Sequence, residues 1–108
     1  MDLKIDQNCD TKECVLAIEG EIDVSNADTL RESLNGLLDK TQNDIVIIDM
    51  SKAPYIDSTG IGVLMGAAHL AKDKDIKLKV VIPHDNILRI FEMLGVDKEL
   101  EIHKEPLF

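Results

Sequence analysis

The sequence is poor in aromatic residues and in positive charge, and each shortage excludes a class of structure or function. Two Phe, one Tyr and no Trp occur among 108 residues, so the core must consist of aliphatic side chains. Lys and Arg number 12 against 21 Asp and Glu, which gives a net charge of −9. Such a chain is a poor binder of nucleic acid or of anionic membranes, because both present negatively charged phosphate. The same charge suits a partner protein with a basic face.

Cysteine is also scarce, since Cys9 and Cys14 are the only two. Their spacing matches no common metal site, and disulfides are rare in the cytosol, so we expect two reduced thiols and no metal or cofactor. No apolar run approaches the roughly 20 residues that a membrane-spanning helix needs. The first residues lack the basic and apolar segments of a secretory signal. We therefore expect a cytoplasmic protein that forms one domain over residues 1–108.

Hydrophobic periodicity predicts the element order ββαβαβαβ. The predicted strands are residues 3–7, 14–18, 45–48, 78–82 and 100–102, and the predicted helices begin at Ser25, Ser58 and Ile87. Ser25 to Asp28 resemble a capping box with Asp in place of Glu, and Gly95 stands where a helix would end. The connection between the first two strands is too short for a parallel crossover, so they should form a hairpin.

This order predicts an α/β fold with a mostly parallel sheet of four or five strands and an antiparallel N-terminal edge hairpin. The run 45–48 is apolar on both faces, which favours a central strand. Functional loops of such sheets cluster where strands end and helices begin. Residues 23–25, 57–62 and 83–86 should therefore meet at one end of the sheet.

The segment Asp57-Ser58-Thr59-Gly60-Ile61-Gly62 joins an acid, two hydroxyls and two glycines at the start of the second helix. Ser58 can be read as the N-cap, since serine is a preferred cap residue. Each glycine costs roughly 1 kcal/mol relative to alanine inside a helix. Close packing, or close approach by a ligand or partner, should offset that cost. The first amides of the helix also favour a negatively charged group.

Catalysis by Ser58 is disfavoured by the residues around it. A nucleophilic serine needs a histidine, and His69 is about three helical turns away, roughly 16 Å along the axis. His84 is better placed, but no G-x-S-x-G elbow is present. The segment Asp57-Ser58-Thr59-Gly60 resembles the Asp-Ser/Thr-Gly motif of aspartic proteases, but its spacing differs by one residue. A P-loop at this turn is disfavoured, because the motif needs a Gly-Lys-Ser/Thr segment and no lysine lies between Lys52 and Lys72. We therefore expect no catalytic residues and no enzyme activity.

Two motifs resemble those of STAS-domain anti-sigma factor antagonists of the stand-alone type found in sporulation and general-stress systems. They are the segments Gly20-Glu21-Ile22-Asp23 and Asp57-Ser58-Thr59-Gly60-Ile61-Gly62, with Asp49-Met50-Ser51 before the second. The resemblance covers essentially the whole chain and includes the order ββαβαβαβ. It implies that the unphosphorylated protein binds a serine-kinase anti-sigma factor, which then releases its sigma factor.

The resemblance also implies a switch. The kinase would phosphorylate Ser58 and so end the complex, and a PP2C-type phosphatase would restore the binding form. The protein would be a monomer when free. The residues implied in partner binding are Asp23, Val24, Ser25, Asp57, Ser58, Thr59, Gly60, Ile61 and Gly62. An alternative with the same fold is a STAS subunit of a transporter or lipid-trafficking complex.

Overall fold

The computed structural model describes residues 2–106, which form a five-stranded sheet and three α-helices. The elements are β1 Lys4–Cys9, β2 Glu13–Glu19, α1 Ala27–Lys40, β3 Ile45–Lys52, α2 Ser58–Asp73, β4 Lys77–Val81, α3 Asp85–Leu94, a 3₁₀ turn Val96–Lys98 and β5 Glu101–His103. The predicted order ββαβαβαβ is confirmed. Gly95 ends α3 in the left-handed conformation, with φ of 73°, as its position predicted.

The strands lie in the sheet in chain order, with β3 at the centre. β1 and β2 form an antiparallel hairpin, and all the other neighbouring pairs are parallel. Parallel neighbours that follow each other along the chain need a crossover, and right-handed crossovers place successive helices on the same face. The predicted mostly parallel sheet with an antiparallel edge hairpin is therefore confirmed.

One aliphatic core lies between the sheet and the three helices. Alternate residues of β2, β3 and β4 join side chains of α1, α2 and α3 in a single buried cluster that contains Leu16, Ile48, Val80, Leu34, Leu64 and Phe91. Phe91 is the only aromatic residue among the fully buried side chains of residues 2–106, as the composition predicted for an aliphatic core. α1 and α2 pack against each other, and each follows one of the parallel strands β2 and β3, so their first turns lie at the same end of the sheet.

The prediction of two reduced thiols is wrong, because Cys9 and Cys14 form a disulfide. They face each other in the hairpin, and their Cα atoms are 4.0 Å apart. Cys14 is buried, and its Sγ lies 3.4 Å from Thr41 Oγ1 and 3.3 Å from Asn43 Nδ2. The register of the hairpin, which sequence spacing alone does not determine, brings the two sulfurs together. This bond is at the opposite end of β2 from the loop that contains Asp23.

Thiol titration of the unfolded protein should check the disulfide. Protein purified without reductant should contain no reactive thiol, and reduction should release two, because the chain has two cysteines. Reduction should lower the free energy of unfolding by about 2 kcal/mol at most, since the closed loop is short. Two thiols detected before reduction would contradict the structure, and a Cys9→Ser, Cys14→Ser double variant gives the baseline.

Candidate functional site: the loops and helix start around Ser58

The chain continues to pair beyond the ends of β2 and β3, and this brings two loops together. Gly20 N donates to Lys52 O at 3.0 Å, and Ile22 N donates to Tyr55 O at 2.9 Å. Asp57 N then donates to Ile22 O at 3.1 Å, which completes a parallel bridge between Ile22 and Ile56. Because of these bonds, the loop after β2 lies beside the first turn of α2.

The N-cap of α2 is Asp57, so the prediction that Ser58 caps the helix is wrong. Asp57 is extended, with φ of −97° and ψ of −177°, and its Oδ1 accepts from Gly60 N at 3.0 Å. Its Oδ2 accepts from Val24 N at 3.1 Å. One carboxylate therefore caps α2 and also holds the neighbouring loop.

Ser58 is the first residue of α2, and its side chain is free for chemistry. It is exposed, and within residues 2–106 its hydroxyl makes no hydrogen bond. The amides of Ser58 and Thr59 have no backbone acceptor in the same described part of the chain, as expected for the first residues of a helix. Free amides and the positive end of the helix dipole together stabilise an anionic group at this position.

The loop after β2 is held by Asn26, a residue that the sequence reasoning missed. α1 begins at Ala27 with Asn26 as its N-cap, so the capping box predicted at Ser25 is wrong. Asn26 is 5% exposed; its Oδ1 accepts from Asp23 N at 2.9 Å, and its Nδ2 donates to Glu21 O at 2.8 Å. The Asn26 side chain makes no capping hydrogen bond to α1, so the preference of helix N-caps for Asn was no signal for its role in the loop.

Asp23 turns the chain within that loop. Its Oδ1 accepts from the hydroxyl of Ser25 and from Ser25 N, the latter at 2.9 Å. The Ser25 hydroxyl, with the Ser25 amide, holds the pKa of the Asp23 carboxyl below its ordinary value. Asp23 is therefore negatively charged at neutral pH, at the same end of the sheet as Asp57.

The two glycines of the motif have different surroundings. A Cβ on Gly60 would lie 2.6 Å from Ile22 Cγ2 and 2.7 Å from Ile56 Cγ1, so close packing requires this glycine. A Cβ on Gly62 would meet nothing within 4 Å. The helix-propensity cost of Gly60 is thus offset by the close packing that this glycine allows. Gly62 allows no such packing and leaves an open surface beside Thr59.

The predicted site residues divide into an outer and an inner set. Val24, Ser25, Ser58, Thr59 and Gly62 are exposed, whereas Gly60 and Ile61 are buried and support the surface from below. Val24 is 75% exposed, although it is apolar. Tyr55, half exposed beside this loop, is a surface residue that sequence reasoning did not include.

The third predicted loop, residues 83–86, starts at the same end of the sheet. His84 Nε2 lies 3.1 Å from Met50 O, near the end of β3, and makes no hydrogen bond to Ser58 in the described structure. Residues 2–106 contain no cluster of three or more His, Cys, Asp or Glu side chains that could hold a metal ion. No helix among them is long and apolar enough to cross a membrane.

A mixed sheet in chain order with helices on one face and a paired loop at the start of α2 defines a known class of domain. The STAS domain family model matches residues 1–106, and the chain belongs to this family. The anti-sigma-B factor antagonist of Bacillus subtilis is 30% identical over 102 residues, covering 94% of this chain and 92% of the relative. The resemblance to anti-sigma factor antagonists is therefore confirmed.

Solved structures agree with this fold. The anti-sigma factor antagonist SpoIIAA in its unphosphorylated form superposes with a TM-score of 0.73 at 13% identity, covering 95% of this chain and 90% of that one. The phosphorylated form of Bacillus SpoIIAA gives 0.70 at 16% identity, with 94% and 93% covered. At such identities the likeness describes the fold.

Proposed function

We propose that this protein is an anti-sigma factor antagonist controlled by phosphorylation of Ser58. Its unphosphorylated form binds a serine-kinase anti-sigma factor, which then releases a sigma factor. Phosphorylation of Ser58 by that kinase ends the complex, and a PP2C-type phosphatase restores the binding form. The protein acts as a regulatory binding partner in the cytoplasm and carries out no catalysis of its own.

One observation carries this proposal: the hydroxyl of Ser58 is exposed and unbound at the first position of α2. Because Asp57 caps the helix, a phosphate on Ser58 would break no capping hydrogen bond. The amides of Ser58 and Thr59 and the helix dipole would stabilise the added charge. The fold can thus accept the modification without rearrangement.

The relatives support the same role. The chain is 30% identical to proteins of Bacillus subtilis and Listeria monocytogenes that are anti-sigma-B factor antagonists. SpoIIAA, which shares the fold, has been solved in an unphosphorylated and a phosphorylated form. A phosphorylated and an unphosphorylated state therefore exist for a protein of this architecture.

The switch follows from charge and shape at the partner-binding surface. The exposed residues next to Ser58 on α2, Thr59 and Gly62, are small, and Asp23 and Asp57 already provide negative charge there. A phosphate adds about −1.5 to −2 charges at neutral pH. The added bulk and like charge weaken binding of a partner whose surface is complementary to the unphosphorylated form. Exclusion at the interface, with the domain unchanged, is the mechanism we propose.

Incubation with ATP and the anti-sigma factor kinases of the same genome tests the function. Mass spectrometry of the peptide that contains Ser58 and Thr59 should show one phosphate, and fragmentation should locate it on Ser58. Phosphorylation should end the complex with the same kinase. A chain that no such kinase binds or modifies would contradict the proposal.

A further inference from the structure

The carboxylate of Asp57 makes two hydrogen bonds to two different elements. Oδ1 caps α2 through Gly60 N at 3.0 Å, and Oδ2 accepts from Val24 N at 3.1 Å in the loop after β2. Only the first bond is needed to cap the helix. The second bond fixes the backbone of Val24 relative to Ser58.

Val24 is an unusual residue to hold in this way. It is apolar and 75% exposed, and it has acidic neighbours on both sides of the loop, at Asp23 and Asp57. The rest of the loop is held too, because Asn26 bonds to Asp23 N and Glu21 O. A loop fixed from both sides presents its exposed apolar side chain at little entropic cost on binding.

We infer that Asp57 is a positioning residue for partner recognition, which holds Val24 beside Ser58 as an apolar contact for the anti-sigma factor kinase. This inference rests on the proposed function and deepens it. Asp57 acts on recognition through Val24, so it affects how well the kinase binds the protein. The rate of phosphate transfer once the complex has formed does not depend on it.

Two substitutions separate the two bonds of Asp57. Ser and Asn cap helices about as well as Asp, so Asp57→Ser and Asp57→Asn retain the cap of α2. Neither offers a second acceptor to Val24 N, since Ser has one oxygen and the other polar group of Asn is a donor. Glu21→Gln is the matched control: it removes one negative charge from the same loop, and the Glu21 side chain makes no hydrogen bond in residues 2–106.

Amide hydrogen exchange of the full chain tests the contact without any partner. Exchange at Val24 should be about three- to tenfold faster in Asp57→Ser and Asp57→Asn than in the wild type, because one hydrogen bond is lost. The Gly60 amide should keep its protection in Asp57→Ser. The Glu21→Gln control should exchange as the wild type does. Unchanged exchange at Val24 in both Asp57 variants would overturn the inference.

Phosphorylation kinetics test the consequence. Asp57→Ser should raise KM about three- to tenfold and leave kcat unchanged, and Val24→Ala should raise KM about tenfold through lost apolar contact. If Asp57 acts through Val24, the double variant should be no worse than the weaker-binding single variant. Fully multiplicative effects, or a fall in kcat, would overturn the inference. A wild-type protein that the kinase neither binds nor phosphorylates would instead overturn the proposed function. Hydrogen exchange at Val24 needs no kinase, so it distinguishes failure of this inference from failure of the proposed function.

Discussion

Ser58→Ala should abolish phosphate incorporation by the anti-sigma factor kinase and leave the fold and partner binding intact. The loss should be complete, because alanine has no hydroxyl to accept the phosphoryl group. The free energy of unfolding should change by no more than about 0.5 kcal/mol, since Asp57 provides the cap and the Ser58 side chain makes no hydrogen bond in residues 2–106. Mass spectrometry after incubation with ATP measures incorporation, and calorimetry measures binding.

Thr59→Ala is the matched control, because Thr59 is the adjacent exposed hydroxyl on the same helix turn. This variant should still be phosphorylated, and the phosphate should be on Ser58. Phosphate that persists on Thr59 in Ser58→Ala would show that the neighbouring hydroxyl is the acceptor. A large loss of stability in Ser58→Ala would show that Ser58 supports α2 in a way that its contacts do not explain.

Gly60→Ala should lower the free energy of unfolding by about 1–3 kcal/mol, although alanine is the better helix former. The new methyl group would lie 2.6 Å from Ile22 Cγ2 and 2.7 Å from Ile56 Cγ1. Both isoleucines are buried, and their backbones are bridged, so neither side chain can move away cheaply. Denaturant unfolding measures the change.

Gly62→Ala provides the control two residues further along α2. Its Cβ meets nothing within 4 Å, so the substitution should raise the free energy of unfolding by up to about 1 kcal/mol. The two variants make the same chemical change in the same helix, and their effects should have opposite signs. Destabilisation of similar size in both would show that helix geometry, and not packing on Ile22 and Ile56, requires glycine.

Much of the fold could be predicted because its elements carry strong local patterns. The apolar run that begins at Ile45 indicated the central strand, which extends to Lys52 in the structure. The short connection before Glu13 predicted the hairpin, and Gly95 marked the end of α3. These signals come from residues that are close together in the sequence, so they predict the elements without knowledge of the tertiary contacts.

The details of the site depend on contacts between distant residues, which no local pattern contains. Asp57 and Ser58 are both good cap residues, and the bond from Asp57 N to Ile22 O decides between them by holding Asp57 extended. In the same way, only packing against Ile22 and Ile56 distinguishes Gly60 from Gly62. The Cys9–Cys14 bond likewise depends on the register of the hairpin, which places the two residues opposite each other and which their spacing alone does not determine.

The affinity of the anti-sigma factor kinase for the two states of this protein tests the central claim most directly. Calorimetry with the unphosphorylated protein and with protein phosphorylated stoichiometrically on Ser58 gives the two dissociation constants. The phosphorylated protein should bind about a hundredfold more weakly, because like charges at an interface cost several kcal/mol. Its amide spectrum should change only near α2 and the loop after β2. Equal dissociation constants for the two states would contradict the account.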